Sequence, residues 1–287
     1  MLSLIAEGGG LRGAYSAGAV VALQENLGLK HVDYATGSSG GICNVAYFVS
    51  RQLFMGHDIW VKEVGNHFVK RMNLFTKKPI LQKGYIINTV FKKKYPLDVQ
   101  KIRESTTKLI IPLTNAKTGK TEFFTNHDKE KFFRLLQACI SIPFFSAPVR
   151  INKNRYYDGV YSCPLPLELP EIKASKKIII LTETQEQDKG RRLEKWISYI
   201  FSVRFSKAMR LLIRNYSELR MQFHKDLEKH IKKKDIIIRP KKELPNYSFN
   251  SETIKAIYEQ GYKDTLDSKP LQKLLKQLKK THPEYFM

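Results

Sequence analysis

Acidic residues are scarce in this chain: 27 Asp and Glu stand against 50 Lys and Arg over 287 residues, a formal net charge of +23. An imbalance of that sign calls for an anionic partner, either a membrane surface or a nucleic acid. Cysteine is nearly absent. Cys43, Cys139 and Cys163 are odd in number and widely spaced, which argues against a disulfide framework or a metal site and for reduced, buried thiols in a cytoplasmic protein. Long apolar runs are missing too: no window offers about 18 uncharged apolar residues, so no membrane span is expected. The N-terminus has neither a basic n-region nor a cleavage site, and its apolar residues read as a first strand. Repeats and low-complexity tracts are absent. The hydrophobic fraction of 42% suffices for a sizeable core, in one large domain or one and a half.

Glycine is concentrated where it matters. Gly37-Ser38-Ser39-Gly40-Gly41 fits G-x-S-x-G between an extended run, Val32 to Thr36, and a helix-like run, Ile42 to Ser50. That is the setting of a nucleophile elbow, a strand-to-helix turn too sharp for side chains beside the serine. Ser39 is its central serine, exposed above the positive end of a helix. Earlier in the chain, Leu2 to Ala6 reads as a buried strand. Glu7 and Gly8-Gly9-Gly10-Leu11-Arg12-Gly13 follow, and then a helical run to Leu27. Unpaired N–H groups and a helix dipole converge there into an anion site, which in an acyl-transfer enzyme is the oxyanion hole.

The same glycines satisfy G-x-G-x-x-G with Asp33 about 20 residues on, so a dinucleotide-binding unit is a rival reading. Against it, the third extended run of a βαβαβ half is missing, and Ser39 directly after Asp33 would be a coincidence. A Walker loop is excluded because no Lys-Ser or Lys-Thr follows the glycines. The third element is Asp158-Gly159, after a strand-like Ala147 to Ile151 and a polar turn at Asn152-Lys153-Asn154. Alone it reads as a plain Asp-Gly turn.

Taken together, a glycine-rich loop, G-x-S-x-G and then Asp-Gly resemble the patatin-like phospholipase family, whose members use a Ser–Asp dyad. Ala138-Cys139-Ile140-Ser141-Ile142-Pro143 resembles the family's Ala-Ser-x-x-x-Pro region. Ile236 to Pro240 and Ile257 to Asp264 resemble the C-terminal extension of a bacterial branch. About residues 52 to 105 are matched least, and Val160 stands where the family usually has Gly or Ala. The resemblance implies Ser39 as nucleophile and Asp158 as its base. It also implies Gly9, Gly10 and Leu11 as oxyanion donors, with Gly8, Arg12, Gly13, Gly37, Gly41 and Gly159 as supporting positions. A base without histidine requires Asp158 to be partly desolvated and close to Ser39. Arg12 is expected to brace its own loop. No metal and no organic cofactor is implied. The substrate would be a phospholipid or another lipid ester.

A Ser-Asp-His triad is the nearest enzyme alternative, since His224, His230 and His282 follow Asp158. Only one strand and one helix separate the glycine loop from Ser39, which speaks against it. The three histidines lie among lysines, where solvated surface is expected. Two basic concentrations stand out, Lys62 to Lys94 and Arg191 to Arg220. In the second, Arg204, Lys207, Arg210 and Arg214 recur at near-helical spacing beside Trp196, Ile200, Phe201, Phe205 and Leu212. Such a helix can lie on an anionic membrane as a peripheral contact, or face the core with a solvated basic side. A nucleic-acid-binding protein would share the charge but leave the elbow, the glycine loop and Asp158 unused. The expected fold is α/β, a patatin-like central mixed β-sheet flanked by helices. Residues 1–185 would form the catalytic domain and 186–287 a mainly helical C-terminal extension packed on it.

Overall fold

Strand β1, Leu2–Ala6, is buried along its whole length, as an inner parallel strand covered on both faces must be. It pairs in parallel with β2 (Tyr34–Gly37) on one side and with β7 (Lys176–Ile180) on the other. The structure, a computed structural model, describes residues 1–52, 55–69, 80–184, 202–245 and 250–287. Its eight-stranded sheet runs β5-β6-β3-β2-β1-β7-β8, with β4 paired to β3. The inner strands are parallel. Strands β3 (Lys108–Asn115) and β4 (Thr121–Thr125) form an antiparallel hairpin.

Strands β5 (Val149–Ile151) and β6 (Asn154–Asp158) form a second hairpin, whose turn sets Asn152 at φ +52°. Strand β6 lies beyond the strand and polar turn expected from the sequence. That strand lays Asp158 beside Leu113 of β3, antiparallel.

Helix α1 (Gly13–Val21) follows the glycine loop and α2 (Gly40–Val49) follows the elbow; both are buried almost throughout. Helix α3 (Phe132–Cys139) leads towards the second hairpin. Three further helices close the fold: α4 (Lys207–His230), α5 (Ser251–Leu266) and α6 (Lys269–Thr281). Their N-termini are capped by Ser206, Asn250 and Ser268, each accepting a backbone N–H three residues on.

The C-terminal part is tied to the sheet at several points. Strand β8 (Ile236–Ile238) extends the sheet from β7, and the buried Lys177 ammonium pairs with Asp235 at 3.0 Å just before it. Helix α5 crosses α1 where glycines let the backbones touch: a Cβ on Gly261 would lie 2.0 Å from the Tyr15 carbonyl oxygen, and one on Gly18 2.1 Å from that of Tyr258. Tyr15 donates to Asp264 at 2.8 Å across the same crossing. The proposed boundary at 185/186, the residues Arg191, Trp196, Ile200 and Phe201, and most of the loop at Pro245 to Phe249 lie outside the described residues, as do Lys70-Arg71 and Lys77-Lys78.

Because the atom facing Gly261 is backbone, it cannot rotate away from an added methyl. Gly261→Ala is therefore expected to destabilise the protein by about 1–3 kcal/mol, outweighing the helix-propensity gain of about 1 kcal/mol. Thermal denaturation followed by circular dichroism measures this; a higher Tm would mean that the α1–α5 crossing is not close-packed.

Candidate active site

Strands β1 and β2 end side by side, and the backbone there leaves no room for side chains. A Cβ on Gly37 or Gly41 would sit 2.0 or 2.2 Å from the Ala6 carbonyl oxygen. Between these glycines Ser39 takes φ +50°, ψ −133°, a conformation costing an L-residue about 1–3 kcal/mol. Ser39 is half-buried, whereas Ser38 is buried and its hydroxyl accepts the Gly8 N–H at 3.3 Å.

The glycine loop lies directly against this turn. A Cβ on Gly8 would come within 2.6 Å of both the Ser38 carbonyl oxygen and Ser39 Cβ. Gly9 and Gly10 have φ +137° and +63°, values open to glycine, and the amides of Gly9, Gly10 and Leu11 donate to no acceptor among the described residues. Gly13 faces Trp60, 2.4 Å from where its Cβ would be. Arg12 is fully buried. Its Nε donates to the Gly9 carbonyl at 3.4 Å and its Nη2 lies 2.7 Å from Glu183, so it braces its own loop as expected.

Asp158 reaches the elbow from the end of β6. Its Oδ1 accepts the Ser39 N–H at 3.2 Å and the Val160 N–H at 3.1 Å, while the buried Oδ2 has no hydrogen-bond partner among the described residues. The residue is 1% exposed. Burial pushes its carboxyl up to about 7, against the downward pull of Val160, Ser39 and Arg220. Gly159 is pinned by Pro112, whose carbonyl oxygen would lie 2.2 Å from a Cβ. Val160 packs sideways into the cluster formed by Tyr157, Tyr161, Met209 and Ile213, half-buried.

A largely apolar cavity opens at Gly10 and Ser39. Trp60, Val64, Phe68, Ile86, Phe91 and Ile140 line it. Its polar residue Asn44 is engaged at both ends, donating to Gly13 and Ser16 and accepting from Trp60. None of these cavity residues before Ile140 was singled out for a site from sequence, because they come from the segment with the weakest motif signal.

His224 corrects an expectation. It is not solvated surface: its side chain is 14% exposed, and Nε2 lies 3.2 Å from Glu7 and 3.0 Å from Glu183. Arg220 joins the same cluster, 3.4 Å from Glu7 and 3.0 Å from Glu183. Burial would raise Glu7, but His224, Arg220 and the Thr182 N–H outweigh it and hold the carboxyl below its usual range. Burial likewise opposes charging of His224, and the two carboxylates overcome it, lifting the imidazole to about 9. Among the described residues, Glu7, Glu183 and His224 are the group with ligand atoms close enough for a metal ion, within 4.8 Å of one another. Two guanidiniums already neutralise these carboxylates, so the charge balance leaves a cation little to gain. His230 pairs with Glu168 and His282 with Glu284 on the exterior. None of the three histidines contacts Ser39 or Asp158 among the described residues.

Asp33 is likewise occupied: it accepts from the Leu2 N–H and from the Tyr285 hydroxyl. The acid that a dinucleotide site would turn towards a ribose is therefore spent on the fold. Cys43 and Cys139 are buried free thiols, and burial pushes Cys43 up to about 12.

The patatin-like phospholipase family model matches residues 4–170. Among solved structures, VipD from Legionella pneumophila is similar over 92% of this chain and 66% of that chain, with 13% identity and a TM-score of 0.44. The chain thus spans just under two thirds of VipD's length. No curated protein matches the sequence.

The raised Asp158 carboxyl has a consequence for stability. Between its ordinary value of 3.8 and about 7, the unfolded carboxyl ionises while the folded one stays protonated, so stability drawn from this residue is lost as pH rises through that window. Asp158→Asn cannot ionise and retains an oxygen to accept both N–H groups. It is expected to raise Tm over wild type at pH 8 and to match it near pH 4; an equal difference at both would mean that the carboxyl is not desolvated.

Proposed function

The chain belongs to the patatin-like phospholipase family, which supports lipid acyl hydrolase activity in general, and on that premise we propose that it cleaves carboxyl-ester bonds of phospholipids or related lipids through Ser39 and Asp158. The observation that carries this reading is a buried carboxyl, raised to about 7 and with one oxygen unpartnered among the described residues, held against the backbone of a strained, half-exposed serine. A base near neutrality suits proton removal at working pH.

In this mechanism Asp158 takes the Ser39 hydroxyl proton as Oγ attacks the ester carbonyl. The carbonyl electrons move to oxygen, and the amides of Gly9, Gly10 and Leu11 hold that oxyanion. Collapse expels the alcohol, which leaves with the proton from Asp158, and Ser39 carries the acyl group. Water then gives its proton to Asp158 and attacks the acyl carbon. A second oxyanion collapses, Ser39 regains the proton and the carboxylic acid departs. No step needs a metal or an organic cofactor. The apolar cavity beside Ser39 suits an acyl chain.

The two-part organisation, 1–185 catalytic and 186–287 an extension, fits this reading. Strand β8 and helix α5 pack on the sheet and on α1, and α4 reaches the glycine loop. Peripheral contact with an anionic membrane, in a cytoplasmic setting, is part of the same proposal. Arg204 and Lys207 are exposed beside Val203 and Leu211, themselves 62% and 61% exposed. Arg210 and Arg214 are half-buried and donate to Val203 and Ser202, so of the four-cation stripe two cations, Arg204 and Lys207, are exposed here. No helix among the described residues is long and apolar enough to cross a membrane.

Ser39→Ala is expected to abolish hydrolysis of p-nitrophenyl butyrate, and a fluorophosphonate probe to label Ser39 alone, as located by peptide mass spectrometry. Below pH 7, kcat/KM should fall about tenfold per pH unit as Asp158 takes up its proton. Retained turnover in Ser39→Ala would overturn the assignment. For the membrane, Arg204→Glu with Lys207→Glu should weaken co-sedimentation with phosphatidylglycerol vesicles at low salt while leaving the soluble ester rate unchanged. Equal sedimentation with phosphatidylcholine would refute electrostatic docking.

A further inference from the structure

The buried ion cluster behind the glycine loop has no part in the chemistry above, yet it is built from opposite ends of the chain. Glu7 directly follows β1 and opens the loop; Glu183 lies just beyond β7; Arg220 and His224 sit one turn apart on α4. Each acid is shared: Glu183 pairs with Arg12, Arg220 and His224, while Glu7 pairs with Arg220 and His224 and accepts the Thr182 N–H at 2.7 Å. Thr182 in turn donates its hydroxyl to the Gly8 carbonyl, and Arg12 donates to that of Gly9. Two carbonyls of the loop are thus gripped from behind. Their orientation sets that of the amides on the opposite side of the same peptide planes.

We infer that His224 and Arg220 are positioning residues, through which α4 holds the glycine-loop amides in their anion-binding orientation and makes turnover depend on the charge of His224. The inference rests on the oxyanion role proposed for that loop. The imidazole faces Glu7 and Glu183, and the other charged and titratable groups whose fields reach these acids are Arg12 from the loop, Tyr216 and Arg220 from α4 itself, and Arg239 after β8. The two carboxylates favour the imidazolium over the neutral ring against the cost of burial, so His224 is charged at neutral pH and loses its proton near pH 9. Above that pH Glu7 and Glu183 face each other with one cation fewer between them, and buried charges left short of a partner rearrange.

The test uses the full chain and p-nitrophenyl butyrate, with circular dichroism confirming the fold. Wild-type kcat should fall on the alkaline side near pH 9, separately from the acid limb near pH 7. His224→Gln keeps much of the volume and a donor but no charge. It should lower kcat at pH 8 by about 10-fold to 10²-fold, below the 10²–10³ typical of losing a donor outright, leave KM within about twofold and lose the alkaline limb. His230→Ala, whose pairing with Glu168 is on the exterior, should follow the wild-type profile. A wild-type profile flat from pH 7.5 to 10 overturns the inference even if His224→Gln does not fold, as does a folded His224→Gln with the wild-type rate and alkaline limb. In each case fluorophosphonate labelling of Ser39 in wild type would show that the hydrolase reading itself survives; absence of that labelling defeats both.

Discussion

The site depends on one steric constraint: the carbonyl of Ala6, at the end of β1, is pressed against the turn that follows β2, and neither Gly37 nor Gly41 has space for a Cβ. With side chains excluded there, the elbow can approach the glycine loop until Gly8 meets the Ser38 carbonyl oxygen and the Cβ of Ser39. Ser39 and a row of amides with no acceptor among the described residues then share one end of the sheet. Parallel pairing of β1 with β2 puts both strand ends, and the helix that follows each, on the same edge.

Around this point the fold stores unfavourable terms that only a well-packed surrounding tolerates. Ser39 has a backbone conformation that L-residues avoid, and Asp158 is a buried carboxyl with one oxygen unpartnered among the described residues. Both are set by rigid neighbours, since Asp158 ends a strand paired to β3 and Gly159 is wedged under Pro112. Burial that disfavours the ionised carboxylate is also what brings its proton affinity near neutrality. Instability and basicity at this residue have one physical cause.

The C-terminal region is a working part of this arrangement. Close glycine-mediated packing of α5 on α1 supports the helix that begins at the glycine loop, and α4 sends Arg220 and His224 to the acids beneath it. Buried ions of this kind add little net stability, because desolvation offsets most of their attraction, but a specific geometry is needed for them to be tolerated at all. The network therefore constrains shape more than it contributes energy.

By itself the sequence determined the elements whose causes are local. Glycine runs beside Ser39 and before Arg12, the alternation from buried strand to helix and the Asp158-Gly159 turn are readable because each is a steric or periodic property of a few adjacent residues. Arg12 as a brace was legible on the same ground. What only the tertiary structure decided involves residues far apart in the chain. Strand β6 is short, and besides its hairpin partner β5 it pairs with β3, some forty residues earlier, which fixes where Asp158 ends up. The cavity wall comes from Trp60, Ile86 and Phe91, which carry no motif. His224 stands among lysines in sequence and reads as solvated, yet α4 turns it inward onto Glu7 and Glu183. Its charge is set by two acids more than 40 and more than 200 residues away, and no local pattern records a field that exists only after the chain has folded.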